Sequence, residues 1–290
     1  MNPLLAVLLG IIQGLTEFLP ISSTAHLTIA GKVLGLVDLD HAAAWTAFIA
    51  VMQLGTMAAV LVYFWKDLVG ILMGLIRDLT TGAATRRGQG WSRESRLALA
   101  IVIGTIPVGV VGLLFEDQIE GALTKSIPVI IGSLVVLAAL LWLAEKVARH
   151  ERTITHVGLW DALLVGCAQA LALIPGSSRS GTTITAGLLL GFTREAAARF
   201  SFLLSVPAVL ASGFFQMYKI AGMMQTGADV FHFGVANLVI ATVVSGIAGY
   251  AAIAWLLRYL MRHTTLVFVW YRFALGLVLA ILLMSGFLEP

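Results

Sequence analysis

The stretch TEFLPISSTAH, from Thr16 to His26, places a carboxylate, hydroxyls and an imidazole inside an apolar region. Glu17, Ser23 and His26 all fall within residues 3–36, which are otherwise largely hydrophobic. A carboxylate at membrane depth is costly and needs a cation, a proton or a polar cavity. Pro20 interrupts the helical pattern two positions before the serine pair Ser22 and Ser23. The stretch therefore predicts two half-helices that meet at a polar tip.

The composition of the whole chain is that of a helical membrane protein. Of its 290 residues, 59% are hydrophobic and 11% are charged, and the mean hydropathy is +0.97. Soluble proteins carry about 25% charged residues, more than twice this share. The net charge of +3 comes from basic residues that flank the apolar segments. We therefore expect membrane lipids, and no nucleic acid, as partners.

Six apolar stretches are long enough to cross a bilayer, which takes about 20 residues. They are residues 42–64, 97–115, 126–144, 199–219, 233–257 and 265–287. Two further apolar regions, 3–36 and 157–192, are too long for one crossing and are broken near the middle by proline and serine. We predict that each forms a re-entrant helical hairpin, covered by protein or by a water-filled cavity. The predicted fold is all-α and polytopic, in one integral membrane domain over residues 1–290.

The basic residues predict the orientation of the chain. Thirteen of the 18 Lys and Arg residues lie around 66–96, 146–152, 194–199 and 258–262, all on one side of the six crossings. Loops rich in Lys and Arg stay in the cytoplasm. We therefore expect both termini on the outer side of the membrane. The first hairpin then enters from outside and the second from the cytoplasm.

The two broken regions resemble each other. LGIIQGLTEFLPISST from Leu9 and VGCAQALALIPGSSRS from Val165 share a Gly, a Gln, a Pro and a Ser pair. The following segments, FIAVMQLGTMAA from Phe48 and FSFLLSVPAVLA from Phe200, also match. Three crossings separate the copies, and this odd number inverts the second copy. We predict an inverted-topology repeat, with halves of about 1–150 and 155–290 and a site where the two tips meet.

Both tips have the features of an anion site. A serine at each tip can cap a helix: the candidates are Ser22 or Ser23, and Ser177 or Ser178. The free N–H groups and the positive dipole end of a helix start attract phosphate. Gly176 allows the backbone to approach a ligand closely, and Arg179 offers a planar fork suited to phosphate oxygens. The candidate phosphate-binding residues are Ser22, Thr24, Gly176, Ser177, Ser178, Ser180 and Thr183, although the hydroxyls among them can also serve as helix caps.

The catalytic candidates are Glu17, Ser23, His26 and Arg179, and together they predict phosphoryl transfer. Ser23 and His26 are spaced i, i+3 on one helix face, so the imidazole could activate the hydroxyl as a nucleophile. Water could attack instead, with Glu17 or His26 taking its proton. Among the other polar residues of the apolar segments, Gln13 and Gln169 can bond across helices. Snorkelling to the interface is one explanation of Arg272.

At these two tips the chain resembles the undecaprenyl pyrophosphate phosphatases of the bacitracin-resistance family. The resemblance covers essentially the whole chain and rests on GLTEFLPISSTAH, PGSSRSGTT, FSFLLSVP and YRF, which begin at Gly14, Pro175, Phe200 and Tyr271. It implies hydrolysis of a C55 isoprenoid diphosphate to the monophosphate and inorganic phosphate. That reaction recycles the lipid carrier for peptidoglycan and other envelope polymers. The resemblance also implies a divalent cation, Mg or Ca, and a location in the bacterial cytoplasmic (inner) membrane, with the active site open to the outer face of that membrane.

The resemblance assigns activity to particular residues of this chain, namely Glu17, Ser23, His26, Ser178, Arg179 and Thr183. Gln13 stands where many family members have Glu, so Glu17 is the candidate metal ligand and Gln13 only a weak one. Ala25 stands where Gly is common. Inverted repeats are also typical of transporters, so the alternative function is a polyprenyl-phosphate flippase that uses the same anion site. Release of inorganic phosphate in detergent would distinguish the enzyme from the flippase.

Overall fold

Apolar helices form most of the chain. A computed structural model describes residues 1–36, 42–81, 90–115, 118, 126–225 and 231–288. These residues contain eleven α-helices: α1 (Pro3–Phe18), α2 (Ser23–Val33), α3 (Ala42–Tyr63), α4 (Trp65–Thr80), α5 (Arg93–Leu114), α6 (Ile127–Val147), α7 (Leu159–Ala170), α8 (Arg179–Leu189), α9 (Arg194–Gln225), α10 (Val235–Leu260) and α11 (Leu266–Met284). Short 3-10 turns span Ile154–His156 and Leu171–Leu173.

The six predicted crossings are confirmed as helices of sufficient length and hydropathy. They are α3, α5, α6, α9, α10 and α11, and the chain is therefore a multi-pass membrane protein. The largest difference from the prediction is in α9, which extends over Arg194–Gln225 where the apolar run covers only 199–219. The N-terminal extension begins with the charged residues Arg194 and Glu195, and the C-terminal extension, residues 220–225, follows Lys219. The charged residues therefore bound the apolar run without ending the helix.

The prediction of a loop around residues 66–96 is wrong for its first part, which forms the helix α4. Trp65, Leu72, Met73 and Ile76 recur at helical spacing and are exposed. On another face of α4, Asp67 Oδ1 pairs with Arg199 Nη2 at 2.6 Å. The stretch is amphipathic and too polar to register as a crossing, so a hydropathy criterion overlooks it. Residues 82–89 lie outside the described residues.

Each of the two broken regions consists of two helices. Residues 19–22 separate α1 from α2, and residues 171–178 separate α7 from α8. Ser22 and Ser178 precede α2 and α8 with φ values of 74° and 69°, in the left-handed region that L-residues rarely adopt. The helices that follow these serines, α2 and α8, have 11 residues each. This matched geometry supports the predicted repeat, while the inversion and the re-entry into the bilayer stay predictions.

The first helix of each broken pair packs against a helix of the other half of the chain: α1 contacts α10, and α7 contacts α5. A Cβ atom on Gly10 would lie 2.6 Å from the carbonyl oxygen of Ala241. A Cβ atom on Gly166 would lie 2.2 Å from the carbonyl oxygen of Gly104. Such approaches require glycine and are typical of helix packing in membranes, where van der Waals contact drives association. The two halves are therefore interlocked, which brings their tips to one place.

Candidate functional site

The two tips line one cavity with a volume of about 260 Å³. The first tip contributes Glu17, Ser22, Ser23 and Thr24, and the second contributes Gly176, Ser178 and Arg179. The rest of the wall comes largely from α3, α5, α9 and the 3-10 turn after α7, and includes Gln53, Val108, Leu173, Val209 and Gln216. One part of the cavity surface, formed by the two tips, is therefore polar, and the rest of its wall is mostly apolar.

Glu17 is the centre of the polar group. Its Oε1 accepts a hydrogen bond from Arg179 Nη2 at 3.0 Å. Its Oε2 accepts from Ser23 Oγ at 2.7 Å and from Gln13 Nε2 at 3.2 Å. The side chains of Glu17 and Arg179 are only 14% and 16% exposed, so water screens their attraction little. The structure therefore brings together three of the four predicted catalytic residues.

The predicted pairing of Ser23 with His26 is wrong in this structure. His26 Nδ1 lies 2.7 Å from the carbonyl oxygen of Ser22, and its Nε2 lies 2.6 Å from the hydroxyl of Tyr271. A carbonyl can only accept, so Nδ1 donates to it and Nε2 accepts from the tyrosine. His26 is not among the described residues of the cavity wall. The i, i+3 spacing places Ser23 and His26 on neighbouring positions of one face of α2. It could not show that the Ser23 hydroxyl bonds to Glu17 on the preceding helix instead.

Ser22 and Ser178 are the helix caps, which decides between the two candidates at each tip. Each side chain accepts from the N–H three residues later, at 3.3 Å and 3.2 Å. Ser23 is therefore the first residue of α2, and its hydroxyl is not used as a cap. The equivalent first residue of α8, 156 positions later, is Arg179. The two helix starts thus present a hydroxyl and a guanidinium to the same carboxylate.

Two predicted phosphate-binding residues, Ser180 and Thr183, bond to protein groups of the tips and of α9 and do not face the cavity. Ser180 Oγ donates to the carbonyl oxygen of Leu19 at 3.0 Å and links the second tip to the first. Thr183 is fully buried and donates to the carbonyl oxygen of Arg179 at 2.7 Å. Its hydroxyl also lies 2.6 Å from Ser201 Oγ. Neither Ser180 nor Thr183 is among the described residues of the cavity wall.

Gly176 was predicted to let the backbone approach a ligand closely, and in the structure its backbone closely approaches the helix α6. With φ at 85°, Gly176 packs against α6, and a Cβ atom there would lie 2.2 Å from Ser133 Oγ. Gly176 also lines the cavity, as do Thr24 and Ser178. Ser177 is 1% exposed, and its hydroxyl has no partner among the described residues.

Arg272 joins the two tips, so snorkelling does not explain this residue. Its side chain is fully buried. Nη1 donates to the carbonyl oxygens of Pro20 at 3.3 Å and Ser177 at 3.1 Å, one in each tip. The guanidinium also donates to the carbonyl oxygens of Ser133, Leu134 and Gly176. A charge in an apolar segment already marked Arg272 in the sequence. Its role could not be predicted, because its hydrogen-bond partners lie on other segments of the chain.

The acidic residues near the tips set a limit on metal binding. Within the part of the chain that the structure describes, no three His, Cys, Asp or Glu side chains are grouped as metal ligands. Among the described residues near the tips, Glu17 supplies the one carboxylate, and the amide oxygen of Gln13 is buried with no described partner. Mg²⁺ is usually bound by one or two carboxylates and completed by substrate phosphates and water. These donors fit a cation that is held mainly by phosphate.

Comparison with known proteins gives a consistent result. Residues 6–278 match the family model described as bacitracin resistance protein BacA. The chain is 52% identical to an undecaprenyl-diphosphatase of Syntrophobacter fumaroxidans, with 95% of each chain covered. It is 48% identical to that of Chlorobium phaeovibrioides, with 98% of each chain covered. It is 50% identical to that of an Anaeromyxobacter species, over 99% of this chain and 90% of the relative.

Proposed function

The chain belongs to the bacitracin resistance protein BacA family, and on this basis we infer that it is an undecaprenyl-diphosphatase. It hydrolyses undecaprenyl diphosphate to undecaprenyl phosphate and inorganic phosphate, which returns the lipid carrier to the synthesis of peptidoglycan and other envelope polymers. Bacitracin resistance is the property for which the family is named. The observation that carries this function is the joining of Ser23, Glu17 and Arg179 in a cavity among membrane helices.

Arg179 is the main phosphate-binding group. Its Nη2 is engaged by Glu17, while its Nη1 is buried without a partner among the described residues. A phosphate oxygen would satisfy this free donor and form a charge-assisted hydrogen bond. Arg179 is also the first residue of α8, where the helix dipole favours an anion. The capped start of α2 at Ser23 provides a second favourable dipole end.

The isoprenoid tail leaves the cavity through its apolar wall. Val108 on α5, Ile174 after the 3-10 turn and Val209 on α9 line this wall. Ile174 is 46% exposed, as expected for a residue at an opening towards lipid. Each buried CH₂ of a tail contributes about 0.8 kcal/mol to binding. Shorter prenyl diphosphates should therefore react with a higher KM than the full-length substrate.

The geometry favours Ser23 as the nucleophile. Its Oγ attacks the terminal phosphorus while its proton passes to Glu17 Oε2, which already accepts from it at 2.7 Å. The bond to the bridging oxygen breaks, and undecaprenyl phosphate leaves with the electron pair. Water then attacks the phosphoserine, its hydroxide stays on phosphorus, and its other proton returns to Oγ. Inorganic phosphate is released and the Ser23 hydroxyl is restored. Glu17 then releases its proton to solvent.

Attack by water with Glu17 as the base remains the competing route. A serine that caps a helix directs its oxygen at backbone N–H groups and is a poorer nucleophile, which would favour water. Ser22 takes that role here, which leaves the Ser23 hydroxyl on Glu17. His26 is engaged by Ser22 and Tyr271, so Glu17 is the better placed base for either route.

A divalent cation, Mg or Ca, is part of the proposal. Glu17 and the amide oxygen of Gln13 would hold it, with the substrate phosphates completing the coordination. When bound, it would neutralise charge on the phosphates. A chelator should then abolish phosphate release, and added Mg²⁺ or Ca²⁺ should restore it. Release that is unaffected by a chelator would remove the cation from the proposal.

We place the protein in the bacterial cytoplasmic membrane, with the cavity open to the outer face. Arg93 and Arg96 lie at the start of α5, and Arg194 and Arg199 at the start of α9. The positive-inside rule puts these helix starts in the cytoplasm. The wall residues on α5 and α9 lie in the C-terminal parts of these helices, towards the outer side, and include Val108, Ser212 and Gln216.

The deciding experiment is phosphate release by the purified protein. In detergent with undecaprenyl diphosphate and Mg²⁺, the wild type should release inorganic phosphate, and a Glu17→Gln variant should not. A flippase without hydrolytic activity would release none in detergent, yet would move polyprenyl phosphate across a vesicle bilayer. That result would overturn the enzyme assignment in favour of transport.

A further inference from the structure

We propose that Gln169 is a further substrate-contacting residue, whose side-chain amide donates to a phosphate oxygen of the diphosphate. This inference rests on the proposed function and adds a residue to its site. Gln169 lies in the last turn of α7 and is 1% exposed. It lines the same cavity as Glu17, Ser23 and Arg179.

The amide of Gln169 is buried with both of its polar atoms unpaired. Neither Oε1 nor Nε2 has a hydrogen-bond partner among the described residues. Gln169 shares the buried face of α7 with Ala162, Val165 and Gly166, and this helix packs against α5. The sequence suggested a hydrogen bond across helices for Gln169, and the structure shows none to a described residue.

An unpaired buried amide destabilises a folded protein, so its presence in a cavity points to a missing partner. Gln169 Nε2 and Arg179 Nη1 are both unpartnered donors, on side chains that line one cavity. A phosphate group presents several acceptor oxygens and can satisfy both donors together. The amide adds a donor without adding charge, which leaves the ion pair between Glu17 and Arg179 undisturbed.

The repeat provides an internal comparison for this glutamine. Gln13 lies 156 positions earlier, at the equivalent place in the first hairpin. Its Nε2 donates to Glu17 Oε2 at 3.2 Å, so that amide positions the carboxylate. The residue equivalent to Glu17 in the second hairpin is Leu173, which offers Gln169 no acceptor. The second amide is therefore available to a ligand, and phosphate supplies the acceptor that Leu173 does not.

The test compares Gln169→Leu and Gln169→Glu with the wild type in detergent. Loss of a hydrogen bond to a charged group should raise the inhibition constant of inorganic phosphate and the KM for undecaprenyl diphosphate by about 10- to 100-fold. Gln169→Leu should not lower the thermal unfolding midpoint, because it removes an unpaired polar group. In Gln169→Glu a carboxylate repels phosphate, so its activity relative to the wild type should rise as the pH falls and the carboxyl group becomes a donor.

Gln225→Leu is the matched control, because it removes an exposed amide at the end of α9. It should leave the phosphate inhibition constant unchanged. Unchanged inhibition and KM in Gln169→Leu would overturn the inference, as would a lowered unfolding midpoint with unaltered phosphate affinity. If the wild type released no phosphate, the proposed function would fail. Titration of inorganic phosphate into wild type and Gln169→Leu would then decide the role of Gln169 separately.

Discussion

Glu17 in α1 and Arg179 in α8 are separated by 162 positions in the sequence, yet Oε1 and Nη2 lie 3.0 Å apart. Each half of the chain supplies one member of this ion pair, so neither half contains the site alone. Removing one partner leaves the other charge poorly solvated, which costs more than the interaction itself contributes. The pair therefore couples the geometry of the two tips to the chemistry between them.

Arg179→Ala should lose about 3 kcal/mol of transition-state stabilisation, as for other donors in desolvated sites, and kcat/KM should therefore fall roughly 150-fold. Arg179→Lys should restore little activity, because one ammonium group cannot serve Glu17 and phosphate in a planar fork. Steady-state phosphate release measures both variants. Arg258→Ala, an exposed charge on α10, is the matched control. Full activity of the lysine variant would show that only a positive charge is needed.

Ser23→Ala should abolish turnover by the covalent route, because no other hydroxyl of the described residues is hydrogen-bonded to Glu17. After an acid quench, substrate labelled in the terminal phosphate should leave label on wild-type protein and none on the variant. If Ser23→Ala turned over substrate at a substantial rate, water would be the nucleophile. The variant would then show mainly weaker phosphate binding.

Arg272→Met should lower the free energy of unfolding by about 3 kcal/mol and abolish activity, because several buried carbonyl groups of the two tips lose their donor. Arg272→Lys should be intermediate, since an ammonium group reaches fewer of these acceptors at once. Thermal unfolding in detergent gives the order of stability. A stable and active Arg272→Met protein would contradict a role for Arg272 in joining the tips.

Orientation can be tested with single cysteines in a background that lacks Cys167. Thr81→Cys, at the end of α4, should resist an impermeant thiol reagent in intact cells, and Ser285→Cys, after α11, should react. Both side chains are exposed, so accessibility within the protein does not limit the reaction. The same reagent should label both sites after lysis. Ready labelling of Thr81→Cys in intact cells would reverse the topology.

Asp78 predicts an acid-sensitive link between α4 and α5. Hydrogen bonds from Ser92 and Ser95 hold the pKa of Asp78 well below its usual range. A lowered pKa means that the carboxylate contributes stability above its unfolded value of about 3.9, and that this contribution is lost as the pH falls further. The difference in unfolding midpoint between wild type and Asp78→Asn should be largest above about pH 4 and shrink below it.

Glu151→Gln is the control for Asp78→Asn, because Glu151 is exposed. Its midpoint should follow that of the wild type at every pH. A constant difference between wild type and Asp78→Asn from neutral to strongly acidic pH would mean that Asp78 acts through packing and not through its charge.

Hydropathy, charge and local residue chemistry determine much of this protein from the sequence alone. Crossings depend on continuous apolar runs, and helix breaks depend on proline and serine, so both can be predicted one segment at a time. A carboxylate and a guanidinium in such segments already indicate a polar site, which is why Glu17 and Arg179 could be named. The same criterion fails for α4, because this helix has only 16 residues and carries two charged residues near each end, which lower the average hydropathy of its segment.

Only the tertiary structure decides which polar groups meet. Ser22 and Ser23 are chemically equivalent in the sequence, and the backbone at Ser22 makes it the cap while Ser23 bonds to Glu17. His26 turns to Tyr271, and Arg272 reaches the tips of both hairpins. A hydrogen bond is effective only over about 3 Å and over a narrow range of angles. Partners that are far apart in sequence are therefore set by how the interlocked helices pack, which no local pattern specifies.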